Sequence, residues 1–192
     1  MTEPFPPKRY QIIYADPPWQ VKAGPFQPTK GTNSPLTLSK LGLSKRPTKS
    51  LPLPYPTMTT EQIKALPVRD IADKDSHLYL WTINKYIRQA YDIAEAWGFK
   101  PSCLLTWCKT PKGLGLGGAF VQTSEHLLFC RRGTLKARKR IPTSWFHHKR
   151  KRHSEKPAMF RDMIVEVSGD LPRIELFARG HYVGWDVWGN EV

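Results

Sequence analysis

The chain has 192 residues, of which 40% are hydrophobic and 24% charged, and this composition is typical of one globular domain and excludes a disordered chain. Its formal net charge of +14 indicates a polyanionic partner, most often nucleic acid, with an acidic membrane surface as the alternative. No apolar run approaches the ~20 residues that a bilayer-spanning helix needs, which excludes a transmembrane protein.

Five short apolar runs are expected to form strands. The first ends abruptly at Asp16-Pro17-Pro18-Trp19, because proline cannot continue a central ladder. The expected strands cover residues 10–15, 77–81, 102–108, 125–130 and 173–178, and residues 185–188 are a candidate for a short last one.

Three further segments are expected to form helices. Thr59 and Gln62 have the spacing of a capping box, and Asn84 is expected to cap a longer helix that ends near Gly98. Pro157 suits the first turn of the third helix. The apolar face of that helix consists of Phe160, Met163, Ile164 and Val167. Strands alternating with helices predict an α/β fold, with a mostly parallel central sheet flanked by helices.

The positive charge is concentrated in two segments that we expect to be basic loops. Residues 20–53 carry six basic residues and no acidic one, and residues 131–156 carry a net charge of +10. The second loop, which we place at 131–153, interleaves cations with Trp145 and Phe146, a combination that suits phosphates and unstacked bases. The alternative interpretation is a solvated loop or a localisation signal.

Cysteine usage and the start of the chain indicate the compartment. The three cysteines, Cys103, Cys108 and Cys130, do not have the spacing of metal ligands, so we expect no disulfide framework and no metal site. The first residues do not resemble a signal peptide. We therefore expect a cytoplasmic protein with reduced thiols.

The most informative feature is Asp16-Pro17-Pro18-Trp19 at the end of the first strand. In a parallel sheet, ligands bind at the carboxyl ends of the strands, where this motif lies. Methyl transfer to an exocyclic aromatic amine benefits from hydrogen-bond acceptors, since the lone pair of that nitrogen is delocalised into the ring. The Asp16 carboxylate and the Pro17 carbonyl are suited to accept the two N–H bonds, and Trp19 is placed to stack on an extruded base. The alternative is an ordinary turn that ends a strand.

Nine short motifs follow one another along nearly the whole chain. They are Ile-Tyr-Ala-Asp-Pro-Pro-Trp at 13–19, Pro-Tyr-Pro-Thr-Met at 54–58, Leu-Tyr-Leu-Trp-Thr at 78–82, Trp-Gly-Phe at 97–99, Thr-Trp-Cys-Lys at 106–109, Ser-Glu-His at 124–126, Ser-Glu-Lys-Pro at 154–157, Arg-Ile-Glu-Leu-Phe-Ala-Arg at 173–179 and Gly-Trp-Asp-Val-Trp-Gly-Asn-Glu at 184–191. In this order they resemble the adenine-N6 methyltransferases of the mRNA-adenosine methyltransferase type, including small bacterial and phage members. The resemblance implies a Rossmann-like methyltransferase fold in a single domain over residues 1–192, with the catalytic motif before the cofactor half.

The resemblance also implies a cofactor and a set of site residues. The methyl donor would be S-adenosylmethionine, with no metal, and the catalytic residues would be Asp16, Pro17, Pro18 and Trp19. Tyr55 would lie close to the acceptor base. The cofactor would be held by Lys156 near its methionine moiety, by Glu175 at its ribose hydroxyls, and at further positions by Arg179, His181 and Asn190. The alternatives are that Lys156 is one more cation of the basic run and that Glu175 pairs with Arg173.

The chain departs from the family pattern in three places. Residues 179–182 read Arg-Gly-His-Tyr where the family has Arg-Pro-His-Asn, which puts a polar contact at Tyr182 in doubt. Glu191 stands where larger members have glutamine. Few residues precede Tyr10, so the contacts to the cofactor adenine are left open.

Taken together, these features predict transfer of a methyl group from S-adenosylmethionine to the N6 amine of adenine in DNA, in a bacterial or phage-infected cell. DNA is preferred by analogy with the small members of the family. Alternatives are the same reaction on RNA, methylation of the cytosine amine, or a catalytically inactive nucleic-acid-binding subunit of the same fold. No membrane partner is expected, and the oligomeric state and the target sequence are left open.

The segment from Arg131 to Arg152 is expected to be the main contact with the nucleic acid. The phosphate contacts are expected at Lys149, Arg150, Lys151 and Arg152. The first loop begins after Trp19 and returns before Tyr55, so we expect it to close over the acceptor base.

Overall fold

The computed structural model describes residues 4–21, 56–109, 120, 122–149, 155–190 and 192. Nearly all of the first basic loop lies outside these residues, as do the expected contacts Tyr55 and Arg150 to Arg152. Among the described residues, no helix is long and apolar enough to cross a membrane.

Seven strands and four α-helices make up the described part of the chain. The strands are β1 (Tyr10–Ala15), β2 (Ala72–Thr82), β3 (Lys100–Lys109), β4 (Ser124–Arg132), β5 (Trp145–His148), β6 (Arg173–Leu176) and β7 (Asp186–Trp188). The helices are α1 (Thr60–Lys64), α2 (Val68–Ile71), α3 (Ile87–Ala96) and α4 (Met159–Ser168), and a 3₁₀ turn over Asn84–Tyr86 precedes α3. All the expected strands and helices are present, whereas α2 and β5 were not predicted.

All seven strands belong to one sheet, in the order β5-β3-β4-β2-β1-β6-β7. Parallel pairing joins β1 to β2 and β6, β6 to β7, and β3 to β5, while β4 is antiparallel to both β2 and β3. Six strands therefore run in one direction and β4 alone runs against them. This arrangement confirms the expected α/β fold with a mostly parallel sheet.

The sheet is buried on both faces, and β1 shows why its sequence is continuously apolar. Ile13 and Ala15 pack on the face covered by α1 and α3. Ile12 and Tyr14 pack on the opposite face, against Phe160 of α4. A strand that is buried on both faces needs apolar residues at successive positions rather than at alternate ones.

Two of the three predicted helix starts differ in outcome. At α1 the capping box is present, because the Gln62 backbone N–H donates to Thr59 Oγ1 at 3.1 Å and the Thr59 N–H donates to the Gln62 side chain at 2.9 Å. The prediction that Asn84 caps a helix is wrong: Tyr86 occupies the N-cap position of α3 and makes no side-chain cap. Asn84 lies instead in the 3₁₀ turn, and its side-chain oxygen contacts His126 Nε2 at 2.6 Å. The Asn84 side-chain oxygen therefore contacts His126 instead of accepting a backbone N–H at the start of a helix.

Part of the second basic segment, expected to be a loop, is in the sheet. Its first two residues end β4, and Trp145–His148 form β5 at the edge next to β3. Phe146 packs against Phe160, with ring centroids 5.4 Å apart, whereas Trp145 points away from that core and is 62% exposed. The alternation of exposed and half-buried residues in β5 is the period of a strand. The surrounding cations concealed that period in the sequence.

A buried hydrogen-bond chain connects the sheet to the second basic segment. His77 Nε2 donates to the Leu135 carbonyl at 3.1 Å, which leaves Nδ1 to accept the Ser168 hydroxyl at 2.8 Å. Ser168 Oγ in turn accepts from the Tyr79 hydroxyl at 2.8 Å. Burial lowers the pKa of His77, which agrees with a neutral ring in this chain.

We expect Ser168→Ala to lower the free energy of unfolding by about 1–3 kcal/mol, because it leaves the His77 ring nitrogen and the Tyr79 hydroxyl buried without their shared partner. Urea unfolding followed by circular dichroism measures the change. Ser102→Ala, at an exposed position of β3, is the matched control and should change the free energy of unfolding very little. Equal effects of the two substitutions would contradict the role given to the buried chain.

Candidate active site

Asp16 and Glu175 lie at the carboxyl ends of two neighbouring parallel strands. In the register of β1 and β6, Tyr14 is opposite Glu175 and Ala15 is opposite Leu176. The Asp16 backbone N–H extends this pairing and donates to the Leu176 carbonyl at 3.3 Å. The structure therefore places the first predicted catalytic residue and one predicted cofactor residue at the same edge of the sheet, as the sequence implied.

Asp16 is one end of a row of four alternating charges. Lys156 Nζ donates to Asp16 Oδ2 at 2.6 Å and lies 3.4 Å from Glu125 Oε2. Glu125 also pairs with Lys109. The Asp16 and Lys156 side chains are only 18% and 10% exposed, so each charge relies on its neighbour rather than on water.

The pKa values in this row follow from burial and from the alternating charges. Burial by itself disfavours the Lys156 ammonium, but Asp16 and Glu125 outweigh burial and raise the pKa of Lys156. Burial likewise opposes ionisation of Glu125, yet Lys156 and Lys109 lower the pKa of Glu125. Both groups are therefore charged at neutral pH. Sequence reasoning missed Glu125 and Lys109 as site residues, although both lie within motifs that carried the family resemblance.

Two aromatic side chains, Trp81 and Tyr14, pack next to this row of charges. The Trp81 ring lies 5.1 Å from Lys156 Nζ, and Trp81 Nε1 donates to the Tyr14 hydroxyl at 2.6 Å. Burial raises the pKa of Tyr14, so this hydroxyl remains neutral. Both rings pack on the α4 face of the sheet and separate Lys156 from a second ion pair.

That second ion pair joins Glu175 to Arg161. Arg161 Nε donates to Glu175 Oε2 at 2.6 Å, and Nη2 donates to Oε1 at 2.7 Å. The alternative that Glu175 pairs with Arg173 is wrong, because Arg173 forms its ion pair with Asp170. Arg161 was not predicted, since a single arginine on a helix carries no signal of its partner.

The turn at the motif is held by its own backbone and by Trp19. The Trp19 N–H donates to the Pro17 carbonyl at 2.9 Å, and the Met58 N–H donates to the Pro18 carbonyl at 2.9 Å. The indole is only 6% exposed, donates from Nε1 to the Trp81 carbonyl at 3.1 Å, and stacks on Tyr86.

This burial corrects the role expected for Trp19. One face of the ring is already covered by Tyr86 at a centroid distance of 5.1 Å, and little of the remainder is open to a base. Trp19 therefore anchors the turn, and the predicted stacking of Trp19 on an extruded base does not fit the structure. The Pro17 carbonyl retains one lone pair after accepting the Trp19 N–H.

The other expected cofactor residues are exposed at the same edge of the sheet. Arg179 and His181 follow β6, and Asn190 follows β7. Phe177 turns the chain directly after β6 with a φ of 62°, a conformation that is uncommon for a bulky residue. These three polar residues therefore follow the carboxyl ends of β6 and β7 and are exposed.

Lys149, the one described member of the four expected phosphate contacts, is exposed and directly follows β5. Because β5 runs in the same direction as β1, its carboxyl end lies at the edge of the sheet that holds Asp16. Lys149 therefore lies at this edge, whereas Arg131 and Arg132, at the end of the antiparallel strand β4, lie at the opposite edge of the sheet.

Comparison with known proteins identifies the family. The MT-A70 family model matches residues 10–191. The type II methyltransferase M.MunI of Mycoplasma sp is 31% identical, with 98% of this chain and 80% of that protein covered. The N(6)-adenosine-methyltransferase MT-A70-like of Arabidopsis thaliana is 24% identical over 95% of this chain and 24% of that protein. The N(6)-adenosine-methyltransferase catalytic subunit METTL3 of Homo sapiens is 22% identical over 96% of this chain and 28% of that protein.

The family match spans every element that builds the site, from β1 to the end of β7. It confirms the Rossmann-like methyltransferase fold expected from the ordered motifs. The matched region includes both Asp16 and Glu175. The chain belongs to the MT-A70 family of methyltransferases.

Proposed function

We propose that this protein transfers a methyl group from S-adenosylmethionine to the N6 amine of adenine in DNA. The observation that carries the proposal is the Asp16 carboxylate, fixed through Oδ2 by Lys156 at the carboxyl end of β1, with Oδ1 outside that ion pair. Support for DNA comes from the match to the type II methyltransferase M.MunI, of which 80% is covered.

The residues at the strand ends fit the proposed cofactor. An ammonium group has three N–H donors, and Lys156 uses two of them toward Asp16 and Glu125, so one remains for the carboxylate of the donor. A carboxylate has about four lone-pair positions, and Arg161 takes two of those on Glu175, which leaves two for ribose hydroxyls. When bound, the cofactor supplies a methyl group activated by its attachment to a sulfonium.

The acceptor amine needs two hydrogen-bond acceptors and a route for one proton. Asp16 Oδ1 and the Pro17 carbonyl are the two acceptors, at the end of a turn that the prolines and Trp19 hold rigid. Lys156 fixes the carboxylate of Asp16, so the orientation of Oδ1 does not depend on the substrate. Asp16 Oδ1 also accepts the proton that the amine would lose as its bond to the methyl group forms and the bond from that methyl group to sulfur breaks, which would leave a neutral thioether.

The described part of the second basic segment supplies the surface for the nucleic acid. Residues 131–149 contain seven Lys and Arg and no acidic residue. Trp145 is exposed in the same stretch of chain, which offers an aromatic face for a base as well as charges for phosphates. This combination favours contact with an unstacked base over contact with an acidic membrane surface.

Methylation of adenosine in RNA is the second candidate function. It is favoured by the relatives named as N(6)-adenosine-methyltransferases, of which this chain covers about a quarter of the length. The deciding experiment is incubation with labelled S-adenosylmethionine and either DNA or RNA, followed by digestion and identification of the modified nucleoside. We expect N6-methyladenine in DNA. Label in RNA alone, in cytosine, or in neither polymer would overturn the proposal.

We expect Asp16→Asn to lower the rate of methyl transfer by about 10²–10³, because the isosteric amide removes a charged acceptor at the reacting centre. A single-turnover assay with saturating DNA measures that rate, and thermal melting verifies that the variant is folded. Asp170→Asn, which removes an exposed carboxylate far from the motif, is the matched control. A variant at position 16 that transfers methyl groups at the wild-type rate would rule out the role given to Asp16.

Lys156→Ala and Glu175→Ala should each weaken binding of S-adenosylmethionine by about ten- to hundredfold, because each removes a charge-assisted contact worth about 1.5–3 kcal/mol. Isothermal titration calorimetry without nucleic acid measures the affinity. The control is Lys139→Ala, which removes a lysine from the exposed pair with Glu166. Unchanged affinity in both site variants would place the cofactor elsewhere.

Trp145 is the most exposed of the seven tryptophans, so its fluorescence reports on the proposed surface. Nucleic acid should quench the emission and protect it from iodide. Trp145→Phe should abolish both effects with little change in affinity. Trp145→Leu should weaken binding by about five- to a hundredfold, since base stacking contributes about 1–3 kcal/mol per base. Trp185→Phe is the control, and quenching that survives in Trp145→Phe would move the contact away from β5.

A further inference from the structure

Arg161 is held by ring contacts as well as by its ion pair with Glu175. Its guanidinium donates two hydrogen bonds to the two oxygens of Glu175, at 2.6 and 2.7 Å. The guanidinium carbon lies 3.5 Å from the centroid of the Tyr182 ring and 5.6 Å from that of the Tyr14 ring. Planar stacking and a two-pronged ion pair together fix both the position and the orientation of the group.

Glu175 needs such a partner because of where it lies. The side chains of Arg161 and Glu175 are 12% and 6% exposed, so water solvates the carboxylate poorly. Burial raises the pKa of Glu175, the negative charge of Asp16 acts in the same direction, and Arg161 and Lys156 act against it. Lys156 is the second described cation that lowers the pKa of Glu175, and Asp16 and Glu125 already share it.

We propose that Arg161 is a positioning residue for the methyl donor: it keeps Glu175 ionised and oriented so that the two remaining lone pairs of the carboxylate accept the ribose hydroxyls. The inference rests on the proposed function, because it concerns the same cofactor site. Arg161 itself acts through Glu175 and needs no contact with the donor.

Tyr182 completes the arrangement. This residue is one of the departures from the family pattern, since tyrosine stands where the family has asparagine. Its ring covers one face of the guanidinium and prevents Arg161 from turning toward solvent. The side chain at position 182 therefore supports the cofactor residue Glu175 indirectly, through Arg161.

An alternative use of the same contacts is a latch, in which Arg161 must leave Glu175 before the ribose enters. The two uses have opposite consequences. Removal of a latch strengthens binding of the donor, whereas removal of a positioning residue weakens it and makes it depend on pH. The geometry favours positioning, because displacement of Arg161 breaks two charge-assisted hydrogen bonds and a stacking contact together.

The test measures the affinity for S-adenosylmethionine by calorimetry, from about pH 5 to about pH 9 and without nucleic acid. It compares the wild type, Arg161→Met, Glu175→Gln and the double variant, with Arg88→Met on the exposed side of α3 as the control. Ionised Glu175 is the form that accepts hydroxyl hydrogens. Removal of Arg161 raises the pKa of Glu175 further, so the affinity of Arg161→Met should fall as the pH falls through that raised pKa. It should recover as the pH rises, with a loss of about tenfold for each unit below the pKa.

The double variant separates an indirect role from a direct one. If Arg161 acts through Glu175, the double variant should bind as weakly as Glu175→Gln alone and show the same pH profile as that variant. Additive losses, an unchanged pH profile in Arg161→Met, or tighter binding by that variant would each overturn the inference. Failure of the wild type to bind S-adenosylmethionine would overturn the proposed function and this inference with it.

A second substitution at the same position keeps the inference testable if Arg161→Met does not fold. Arg161→Lys keeps a positive charge near Glu175 but loses the two-pronged geometry. Its pH profile should lie between those of the wild type and Arg161→Met, with thermal melting as the check on folding. An affinity equal to that of the wild type at every pH would show that the guanidinium geometry contributes nothing, and would overturn the positioning role.

Discussion

The ion pair between Asp16 and Lys156 is the contact on which the rest of the site depends. The two opposite charges lie 2.6 Å apart, and both are largely removed from water. Each charge needs the other, because a buried charge without its partner is strongly destabilising. Glu125 and Lys109 extend the pair into a row, so that each internal charge has a neighbour of opposite sign on both sides. This row joins the turn at Asp16 to the segment at Lys156 that precedes α4.

The single reversed strand explains how the second acid reaches the row. Because β4 runs against its neighbours, its first residues lie beside the last residues of β3, with Trp107 opposite Glu125. In a fully parallel sheet, the start of that strand would lie at the opposite edge. One antiparallel strand thus brings Glu125 to the carboxyl ends of the other strands, next to Lys109 and Lys156.

The two buried ion pairs are connected by an aromatic layer rather than by further charges. Trp81 lies beneath Lys156 and donates to Tyr14, and the Tyr14 ring lies beside Arg161. Rings with a polar tip fill the space between the ion pairs without adding net charge. Phe146 of β5 packs against the same layer through Phe160, whereas Trp145 of that strand is exposed.

The sequence by itself determined the features that depend on neighbouring residues. Apolar runs marked the strands, Thr59 and Gln62 marked the start of α1, and the prolines after Asp16 marked the end of β1, because each of these depends on local backbone geometry. The ordered motifs also indicated the family.

Only the tertiary structure decided which charges pair. Lys156 and Asp16 are 140 residues apart, and nothing local distinguishes the arginine at 161 from the one at 173 as the partner of Glu175. The burial of Trp19 and the placement of Asn84 in a side-chain cluster were decided in the same way. Such contacts form where distant segments pack together, so their partners are set by the assembled sheet and helices rather than by spacing along the chain.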